Sequence, residues 1–389
     1  MSKITRILIR ATILLLPAYL VRFLVFGIPT NILEILIILT IIAYLVEYKR
    51  PPSEFYRNHK AIVWAAAAIF IGLVTSMLVN HNYTSSLGII KGWFILPLAF
   101  AWVAFMEAKS RKNVENVYKW LYSSTFWVAI VGLAYYSAGQ LTFDGRLQAF
   151  FNSPNYLAMY LAPGIVIAFS QAQSTIRETK SRNFLYLLAA SLAIILISFY
   201  LTYSYAAWAA VVASLLMTAI IKNKEKIDFK KISIAAAVII FIFLSQWNSQ
   251  KFMDFRTLGE RSSLESRIMI WSAAEKIISD NPFWGIGPGN FQDKYLEYQK
   301  YFPPYLEWAV PHPHNLYLAF WLYGGTLSLA GFLALLFFWF REAIKKEKNS
   351  LWAISFAIIL YFLLHGLVDT TYFKNDLAVI FWLNFIILL

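Results

Sequence analysis

The sequence predicts an all-α polytopic membrane protein with about twelve transmembrane helices. Of its 389 residues, 59% are hydrophobic and only 14% are charged, whereas soluble globular proteins carry about 25% charged residues. Aromatic residues make up 18%, and Trp and Tyr are enriched where membrane proteins meet lipid headgroups. The apolar residues also form separate runs long enough to cross a bilayer core of about 30 Å. We therefore expect a single transmembrane domain over residues 1–389.

Twelve apolar runs are the candidate membrane spans. A spanning helix needs about 20 mostly apolar residues, and the last run is short. The first run leads into further runs rather than into a small-residue cleavage site, so we expect no cleavable signal peptide. The runs cover residues 7–27, 32–48, 61–79, 88–106, 120–139, 156–171, 184–203, 206–221, 232–248, 315–340, 351–369 and 377–389.

The positions of Lys and Arg predict the orientation of these spans. The connections at 27–31, 80–87 and 202–206 contain neither residue, whereas the alternate connections hold clusters of both. Because cytoplasmic loops carry the excess of Lys and Arg, both termini are expected in the cytoplasm. This alternation also accounts for the net charge of +13 without a nucleic acid as partner. The chain has no Cys, which excludes a disulfide or a thiolate metal site.

Three connections on the predicted outer side are polar: residues 140–155, 249–314 and 370–376. We expect residues 249–314 to form an extracytoplasmic loop subdomain. Within it, Ser262 and Glu265 have the spacing of a capping box, and Asn281-Pro282 ends the run that follows. Apolar residues at helical intervals predict an amphipathic helix that lies on the membrane face or caps the bundle: Leu264, Ile268, Trp271 and Ile278.

The stretch "PHPHNLYL" (311–318) contains two of the five histidines of the chain. The prolines exclude a helix there, so His312 and His314 precede the late apolar span at its predicted outer end. A neutral imidazole can accept a proton near pH 7 and act as a general base. The alternative is an interfacial histidine that anchors the end of the helix.

Three outer arginines, Arg146, Arg261 and Arg267, are candidates for binding an anion. The guanidinium group offers a planar fork that matches phosphate oxygens, and it keeps its charge at physiological pH. For each arginine alone, contact with solvent or lipid headgroups is the competing interpretation. Convergence of these side chains in space would favour a binding site.

Other polar residues within the apolar runs have structural interpretations. Arg22 and Glu34 flank the first outer turn and are expected to pair or to snorkel, and Lys91 is expected to snorkel outward. His365 and Asp369 are one helical turn apart. This spacing would allow the pair to orient a reacting group, but a polar contact between helices is the preferred interpretation. The outer carboxylates show no paired spacing typical of a metal site, so we expect no metal and no cofactor.

Four segments resemble the O-antigen ligase and polymerase superfamily of bacterial membrane enzymes, which join lipid-linked glycans outside the cytoplasmic membrane. The resemblance covers the C-terminal two-thirds of the chain and includes the order and spacing of the segments. They read "GRLQAFFNSPNYLAMYLAPG" (145–164), "ERSSLESRIMIWSAAEKIISDNPFWGIGPGNF" (260–291), "HNLYLAFWLYGG" (314–325) and "HGLVDTTYFKNDLAVIFWLNF" (365–385).

The resemblance implies a helical glycosyltransferase-C-like fold in the bacterial inner membrane and a glycan donor on undecaprenyl diphosphate. It implies metal-independent, inverting transfer to the hydroxyl of a glycan, lipid or protein acceptor, and it allows a chain-length regulator as partner. His314 corresponds to the catalytic base. The expected substrate-binding residues are Arg146, Arg261, Arg267, Asn155, His312, Tyr205 and Asp369.

One position departs from the family pattern. The stretch "LTYSYAAW" has Tyr205 where the family often has an Arg, and a tyrosine supplies a hydrogen bond but no positive charge. Polymerase and ligase differ only in the acceptor, so the sequence leaves both open. A transporter or flippase is the alternative from another class, and it would require ionisable residues deep within several spans.

Overall fold

The computed structural model describes residues 3–25, 28–48, 53–108, 110–177, 182–223, 244, 245, 247, 253, 263–303 and 310–389. Most of these residues are helical. The α-helices are α1 (Lys3–Leu14), α2 (Ile32–Glu47), α3 (Ser53–Asn58), α4 (Lys60–Asn80), α5 (Tyr83–Ile89), α6 (Leu96–Glu107), α7 (Arg111–Ser137), α8 (Pro154–Arg177), α9 (Arg182–Tyr200), α10 (Tyr205–Asn223), α11 (Ser263–Asp280), α12 (Phe291–Tyr298), α13 (Leu316–Ala343), α14 (Ser350–His365) and α15 (Asn375–Ile387).

The described helices include five that are long and apolar enough to cross a membrane. These are α4, the continuous segment Tyr83–Met106, α9, α10 and α13, while α14 and α15 are apolar but shorter. Each lies at a predicted span, as do α2, α7 and α8. The predicted span at 232–248 falls outside the described residues except at 244, 245 and 247. The helical membrane architecture is confirmed, and the number of twelve spans stays a prediction.

The first predicted span is wrong in its extent. Instead of one helix over residues 7–27, α1 ends at Leu14 and a 3₁₀ turn follows at Leu16–Leu20. Pro17 explains the break, because its ring fits the first turn of a helix and not the interior. The chain then forms an antiparallel hairpin of β1 (Arg22–Val25) and β2 (Ile28–Asn31). The described chain is therefore not entirely α-helical.

The expected pairing of Arg22 with Glu34 is also wrong. Glu34 is buried in the first turn of α2, where Lys91 Nζ lies 2.8 Å from its Oε2. Lys91 also donates to the carbonyl oxygen of Pro29 at 2.9 Å, in the connection predicted to face outward, and its side chain is 31% exposed. Because a buried carboxylate is costly without a partner, this ion pair fixes α2 against the π-helical segment Ile90–Ile95 that joins α5 to α6.

Helices α4 and α13 approach each other closely through small residues. A Cβ atom on Gly331 would lie 2.9 Å from the carbonyl oxygen of Ala65, and one on Gly72 would lie 2.6 Å from that of Gly324. Close backbone approach at glycine is typical of helix pairs in membranes. This pairing fixes α13, the helix that follows the two histidines of the 311–318 stretch.

Helix α11 confirms the helix predicted after Ser262, although Arg261 and Ser262 themselves lie outside the described residues. The predicted apolar stripe is only partly the buried face, because Leu264 and Ile268 are 38% and 46% exposed. The side that packs inward consists of Ser266, Met269, Ile270, Ala273, Ala274, Ile277 and Ile278. Its small residues let α11 pack against α12 and α13, which favours the bundle-capping alternative.

Connections predicted to share one side of the membrane contact each other. On the predicted inner side, His59 Nδ1 lies 2.7 Å from Glu342 Oε2, and Lys348 Nζ donates to the carbonyl oxygen of Ile221 at 2.8 Å. At the opposite end, the connections predicted to face outward meet at the candidate site described next. These contacts agree with the prediction that successive connections alternate between the two sides of the membrane. Which of the two sides faces outward stays a prediction.

Candidate active site

His314 lies in the turn that precedes α13, with its backbone in the left-handed region at φ +45°. The next residue, Asn315, caps the helix, because its side-chain oxygen accepts from the backbone N–H groups of Tyr317 and Leu318 at 2.9 and 3.0 Å. Trp271 of α11 donates through its indole N–H to the carbonyl oxygen of His314 at 3.2 Å. These contacts fix the backbone, and the imidazole stays 31% exposed.

Asp369 orients the imidazole of His314. Its Oδ1 lies 3.0 Å from Nδ1 of the ring and also accepts from the backbone N–H of Thr370 at 2.9 Å. An ionised carboxylate can only accept a hydrogen bond, so Nδ1 carries the proton. The neutral ring therefore has its acceptor lone pair on Nε2, which is the atom that can take a proton from a substrate.

Asn155 joins Asp369 to Arg146. Its amide nitrogen donates to Asp369 Oδ2 at 3.0 Å, and its amide oxygen accepts from Arg146 Nη2 at 2.7 Å. The two bonds use the amide's donor and acceptor in the only arrangement that satisfies a carboxylate and a guanidinium together. Asn155 stands in the first turn of α8, so one helix start aligns both charged groups.

Arg146 is held in place by several contacts. Its Nε donates to the carbonyl oxygen of Thr202 at 2.8 Å, and its Nη1 lies 3.8 Å from Asp144 Oδ2. Burial lowers the pKa of Arg146, and the nearby charge of Arg267 lowers it further, while Asp144 opposes the shift. A guanidinium remains charged at physiological pH even when burial lowers its pKa, so burial leaves a desolvated cation that favours an anion nearby.

Arg267 approaches the same carboxylate from α11. Its Nε donates to the carbonyl oxygen of Val368 at 2.8 Å, and its Nη2 lies 3.7 Å from Asp369 Oδ2. Residues 146, 155, 267, 314 and 369 thus form one cluster, which we call the carboxylate cluster. Its members come from the two predicted outer connections 140–155 and 249–314 and from the end of the predicted span 351–369, which are far apart in sequence.

The charges around Asp369 explain how a carboxylate tolerates this position. Its side chain is 2% exposed, and burial alone would raise its pKa. The charge and hydrogen bond of His314 and the guanidinium of Arg267 outweigh burial and hold the pKa of Asp369 well below its usual range. Asp369 therefore stays ionised throughout the neutral pH range and keeps Nδ1 of His314 protonated.

A family model described as O-Antigen ligase matches residues 190–333. The matched segment covers 144 of the 389 residues, and over this segment the chain is similar to that family. No curated protein matches the chain. Of the carboxylate cluster, His314 and Arg267 lie within the matched segment, whereas Arg146, Asn155 and Asp369 lie outside it.

Tyr205, the departure from the superfamily pattern, lies at the start of α10. Its ring packs edge-on against Trp208, with centroids 5.2 Å apart, and its proximity to Arg146 acts to raise the pKa of that guanidinium. The position therefore borders the carboxylate cluster but adds no cation. Arg261 lies outside the described residues.

His312 lies beside the cluster and is partly buried. Its Nδ1 lies 2.8 Å from the hydroxyl of Tyr323, and its ring packs against Trp93 of the π-helical segment at 5.7 Å. Burial lowers the pKa of His312 to about 3, and the charges of His314 and Lys374 contribute. The ring is thus neutral near pH 7 and stabilises the turn, which leaves the expected substrate contact of His312 a prediction.

Lys374 is a charged residue near the site that the sequence reasoning did not single out. Its ammonium lies 3.2 Å from the ring centroid of Tyr156 and 5.8 Å from that of Tyr19. Burial lowers the pKa of Lys374, and the carboxylates of Asp376 and Asp369 oppose this shift. The signal that could have found it is a lysine placed between the apolar spans of α14 and α15 at the predicted outer side.

The side chains of His365 and Asp369 make no hydrogen bond to each other, and it is Asp369 that makes the polar contact between segments, to His314. His365 Nδ1 lies 2.9 Å from the hydroxyl of Tyr361, and only its backbone oxygen accepts from Asp369 N–H at 3.0 Å. Asp369 follows the end of α14, so the one-turn spacing no longer places both side chains on one helix face. Within the described chain, no three His, Asp or Glu residues are grouped so that they could hold a metal ion.

Proposed function

We propose that this protein is a membrane glycosyltransferase that joins a glycan carried on undecaprenyl diphosphate to an acceptor hydroxyl. The observation that carries the proposal is the carboxylate cluster, in which Asp369 contacts His314 and Arg267 and is linked through Asn155 to Arg146. A base and two guanidinium groups beside one another are what such a transfer requires. The similarity of residues 190–333 to an O-Antigen ligase family supports the same class of reaction.

In the proposed reaction, His314 is the general base. The acceptor hydroxyl approaches Nε2, which takes its proton as the hydroxyl oxygen attacks the anomeric carbon of the donor sugar. General base catalysis of this kind contributes about 10²–10⁴-fold to the rate. Asp369 stabilises the imidazolium that forms, because it accepts the Nδ1 hydrogen bond at 3.0 Å.

Arg146 and Arg267 are proposed to hold the diphosphate. As the bond between the anomeric carbon and the diphosphate oxygen breaks, negative charge grows on that oxygen, and fixed guanidinium groups stabilise it. Attack opposite the leaving group inverts the configuration of the sugar, and the protonated base and free undecaprenyl diphosphate remain. The arginines already provide the positive charge that a bivalent metal could otherwise supply, so the proposed reaction needs no metal ion.

The remaining parts of the proposal concern the setting of the reaction. The carboxylate cluster is proposed to face the extracytoplasmic side of the bacterial inner membrane, with both termini in the cytoplasm. Polymerase and ligase use this geometry alike and differ only in whether the acceptor is a growing glycan, a lipid or a protein. With Tyr205 replacing the usual arginine, Arg146 and Arg267, together with Arg261, are proposed to form the diphosphate site.

The test is donor turnover by the purified protein in liposomes, measured as release of undecaprenyl diphosphate from a lipid-linked glycan. His314→Asn removes the base and keeps a residue that tolerates the left-handed backbone. We expect its turnover to fall by about 10²–10⁴-fold. His81→Asn is the matched control, because His81 also has a left-handed φ, of 54°, after α4, and its turnover should match wild type.

The same assay tests the arginines through KM and kcat. Arg267→Lys and Arg146→Lys keep one charge but lose the planar fork, so we expect both to lower donor use while Met at either position lowers it further.

Wild-type turnover by His314→Asn would remove His314 from the mechanism. Transport of the intact donor across the membrane without release of undecaprenyl diphosphate would support the transporter alternative instead.

A further inference from the structure

A cleft of about 1050 Å³ lies among the described helices α7, α8, α9 and α14, at the predicted cytoplasmic end of the bundle. None of its lining residues belongs to the carboxylate cluster. It is lined at one end by charged residues in the first turns of α7 and further inside by aromatic and aliphatic side chains. Its volume exceeds the range of about 300–1,000 Å³ that is common for small-molecule sites.

The charged end of the cleft is positive. Three cations, Arg111, Lys112 and Lys119, line it together with one carboxylate, Glu115. Glu115 is engaged by Arg111, whose Nε donates to its Oε1 at 3.0 Å. Lys112 and Lys119 have no ion pair with any residue in the described ranges, so two positive charges remain for a ligand.

Helix geometry adds to this positive potential. α7 begins at Arg111 and α14 at Ser350, and both residues line the cleft. The amino-terminal end of a helix carries a partial positive charge that favours anions. Each end already has a side-chain cap from Ser110 or Asn349, so the helix ends supplement the lysines and do not form the site by themselves.

Along α7 the cleft changes from charged to apolar. Lys112, Glu115, Lys119, Tyr122 and Phe126 all line it at spacings of three and four residues, so they form one stripe along a helix face. Opposite this stripe, Leu187 of α9 lines the cleft and is 71% exposed. The cleft is therefore open at an apolar wall on a helix expected to face lipid.

We propose that this cleft binds a phospholipid with a net negative headgroup. The phosphate would lie between Lys112 and Lys119, and an acyl chain would follow the apolar wall formed by α7 and α9. A membrane lipid is the ligand that has an anionic group and an apolar chain in this order and that reaches a wall open to the bilayer. The site is separate from the proposed catalytic reaction and does not depend on it.

The test is lipid binding by the purified full-length protein, measured by native mass spectrometry with phosphatidylglycerol and with neutral phosphatidylcholine. Each Lys near a membrane surface contributes about 1 kcal/mol toward an anionic lipid. Lys112→Gln/Lys119→Gln should therefore weaken phosphatidylglycerol binding by about tenfold or more and leave phosphatidylcholine binding unchanged. Ala190→Trp, on the exposed wall of the cleft, should weaken the binding of both lipids by filling the space.

The matched control is Lys60→Gln/Lys345→Gln. It removes the same charge from exposed lysines on the same predicted side, outside the cleft, and it should bind phosphatidylglycerol like wild type. Equal losses in the control pair and in the cleft pair would show a non-specific surface effect and overturn the proposal. Wild-type binding by the cleft pair would overturn it as well, as would a second copy of the chain that covers the cleft in the wild type.

Discussion

At the residue scale, Asp369 is the side chain on which the geometry of the candidate site depends. A carboxylate that is 2% exposed requires compensating charge, because removing an ion from water costs several kcal/mol. His314 and Arg267 provide that compensation, and Asn155 extends the network to Arg146. The cost of burying Asp369 is thus offset by the groups that the proposed reaction uses, so stability and function select the same contacts.

His312 gives a prediction of pH dependence. Its folded-state pKa, about 3, is below the ordinary value of about 6.5, so the unfolded chain binds more protons between these values. The contribution of His312 to stability is therefore complete above about pH 6.5 and declines as the pH falls toward 3. Each pH unit in this window is worth at most about 1.4 kcal/mol.

The measurement is thermal unfolding of the purified protein in detergent at pH 7.5 and pH 5.5. Wild type should lose more stability on acidification than His312→Gln, which cannot titrate. His81→Gln changes an exposed histidine and should lose as much stability on acidification as wild type. Identical losses in wild type and His312→Gln would show that His312 is not held neutral by its surroundings.

The sequence predicted which residue types gather at the site better than it predicted their partners. His314, Arg146 and Arg267 were predicted as candidates, and the structure brings them together. The partner of Asp369 was not predictable, because the helical spacing that relates Asp369 to His365 is visible in a sequence, whereas a contact with His314 across 55 residues is not. Lys374 was missed for the same reason, since its aromatic partners come from other helices.

At the element scale, the kink in α13 links the predicted outer loop to the bundle. Gly325 has φ +65° within this helix, and a Cβ there would lie 2.0 Å from the carbonyl oxygen of Phe283. The backbone N–H of Ile286 donates to the freed carbonyl of Leu322 at 2.7 Å, and Trp321 donates to Pro282 at 2.9 Å. The turn after α11 therefore replaces hydrogen bonds that the kink removes from the helix.

Glycine-to-alanine changes at three positions separate the causes of destabilisation in this element. Gly88→Ala adds a methyl group where nothing lies within 4 Å in a helix, so it should be neutral or stabilise by up to about 1 kcal/mol. Gly139→Ala meets open space at φ +71°, so left-handed strain of about 1–2 kcal/mol should act alone. Gly325→Ala combines that strain with a clash and should destabilise most, by roughly 3 kcal/mol or more.

Thermal unfolding of the three variants under one condition gives the comparison. The expected order of stability is Gly88→Ala, then Gly139→Ala, then Gly325→Ala. If Gly325→Ala unfolds at the temperature of Gly139→Ala, the close approach between α13 and the turn at 281–287 is not a constraint. Turnover by Gly325→Ala should also fall, because the same helix carries Asn315 and positions His314.

The positions of most helices could be predicted from the sequence. In a membrane the backbone of a long apolar run must satisfy its own hydrogen bonds, and few structures other than a helix allow this. The exceptions have physical reasons. An apolar run does not reveal that Pro17 ends α1, or that residues 22–31 pair as a hairpin. Periodicity in α11 did not distinguish the face that packs inward through Ala273 and Ala274 from the apolar residues that remain exposed.

At the scale of the whole molecule, the charged clusters and ion pairs described above lie towards two ends of the described helices. The carboxylate cluster and the Glu34–Lys91 pair lie beside connections predicted to face outward, whereas the His59–Glu342 pair lies beside connections predicted to face inward. Charged side chains are costly at the centre of a bilayer, so this distribution suits a chemistry performed at one surface. It also leaves the proposed lipid cleft at the opposite surface from the proposed reaction.

Single cysteines test this two-sided arrangement, because the natural chain has none. Gln140→Cys and Asp293→Cys place a thiol at exposed positions on the predicted outer side, and Glu115→Cys and Glu347→Cys do so on the inner side. A membrane-impermeant maleimide applied to intact cells should label the first pair, and the second pair only after permeabilisation, while the cysteine-free chain stays unlabelled. Labelling of Glu347→Cys from outside would reverse the orientation and move the carboxylate cluster to the cytoplasmic face, where the proposed donor geometry would no longer apply.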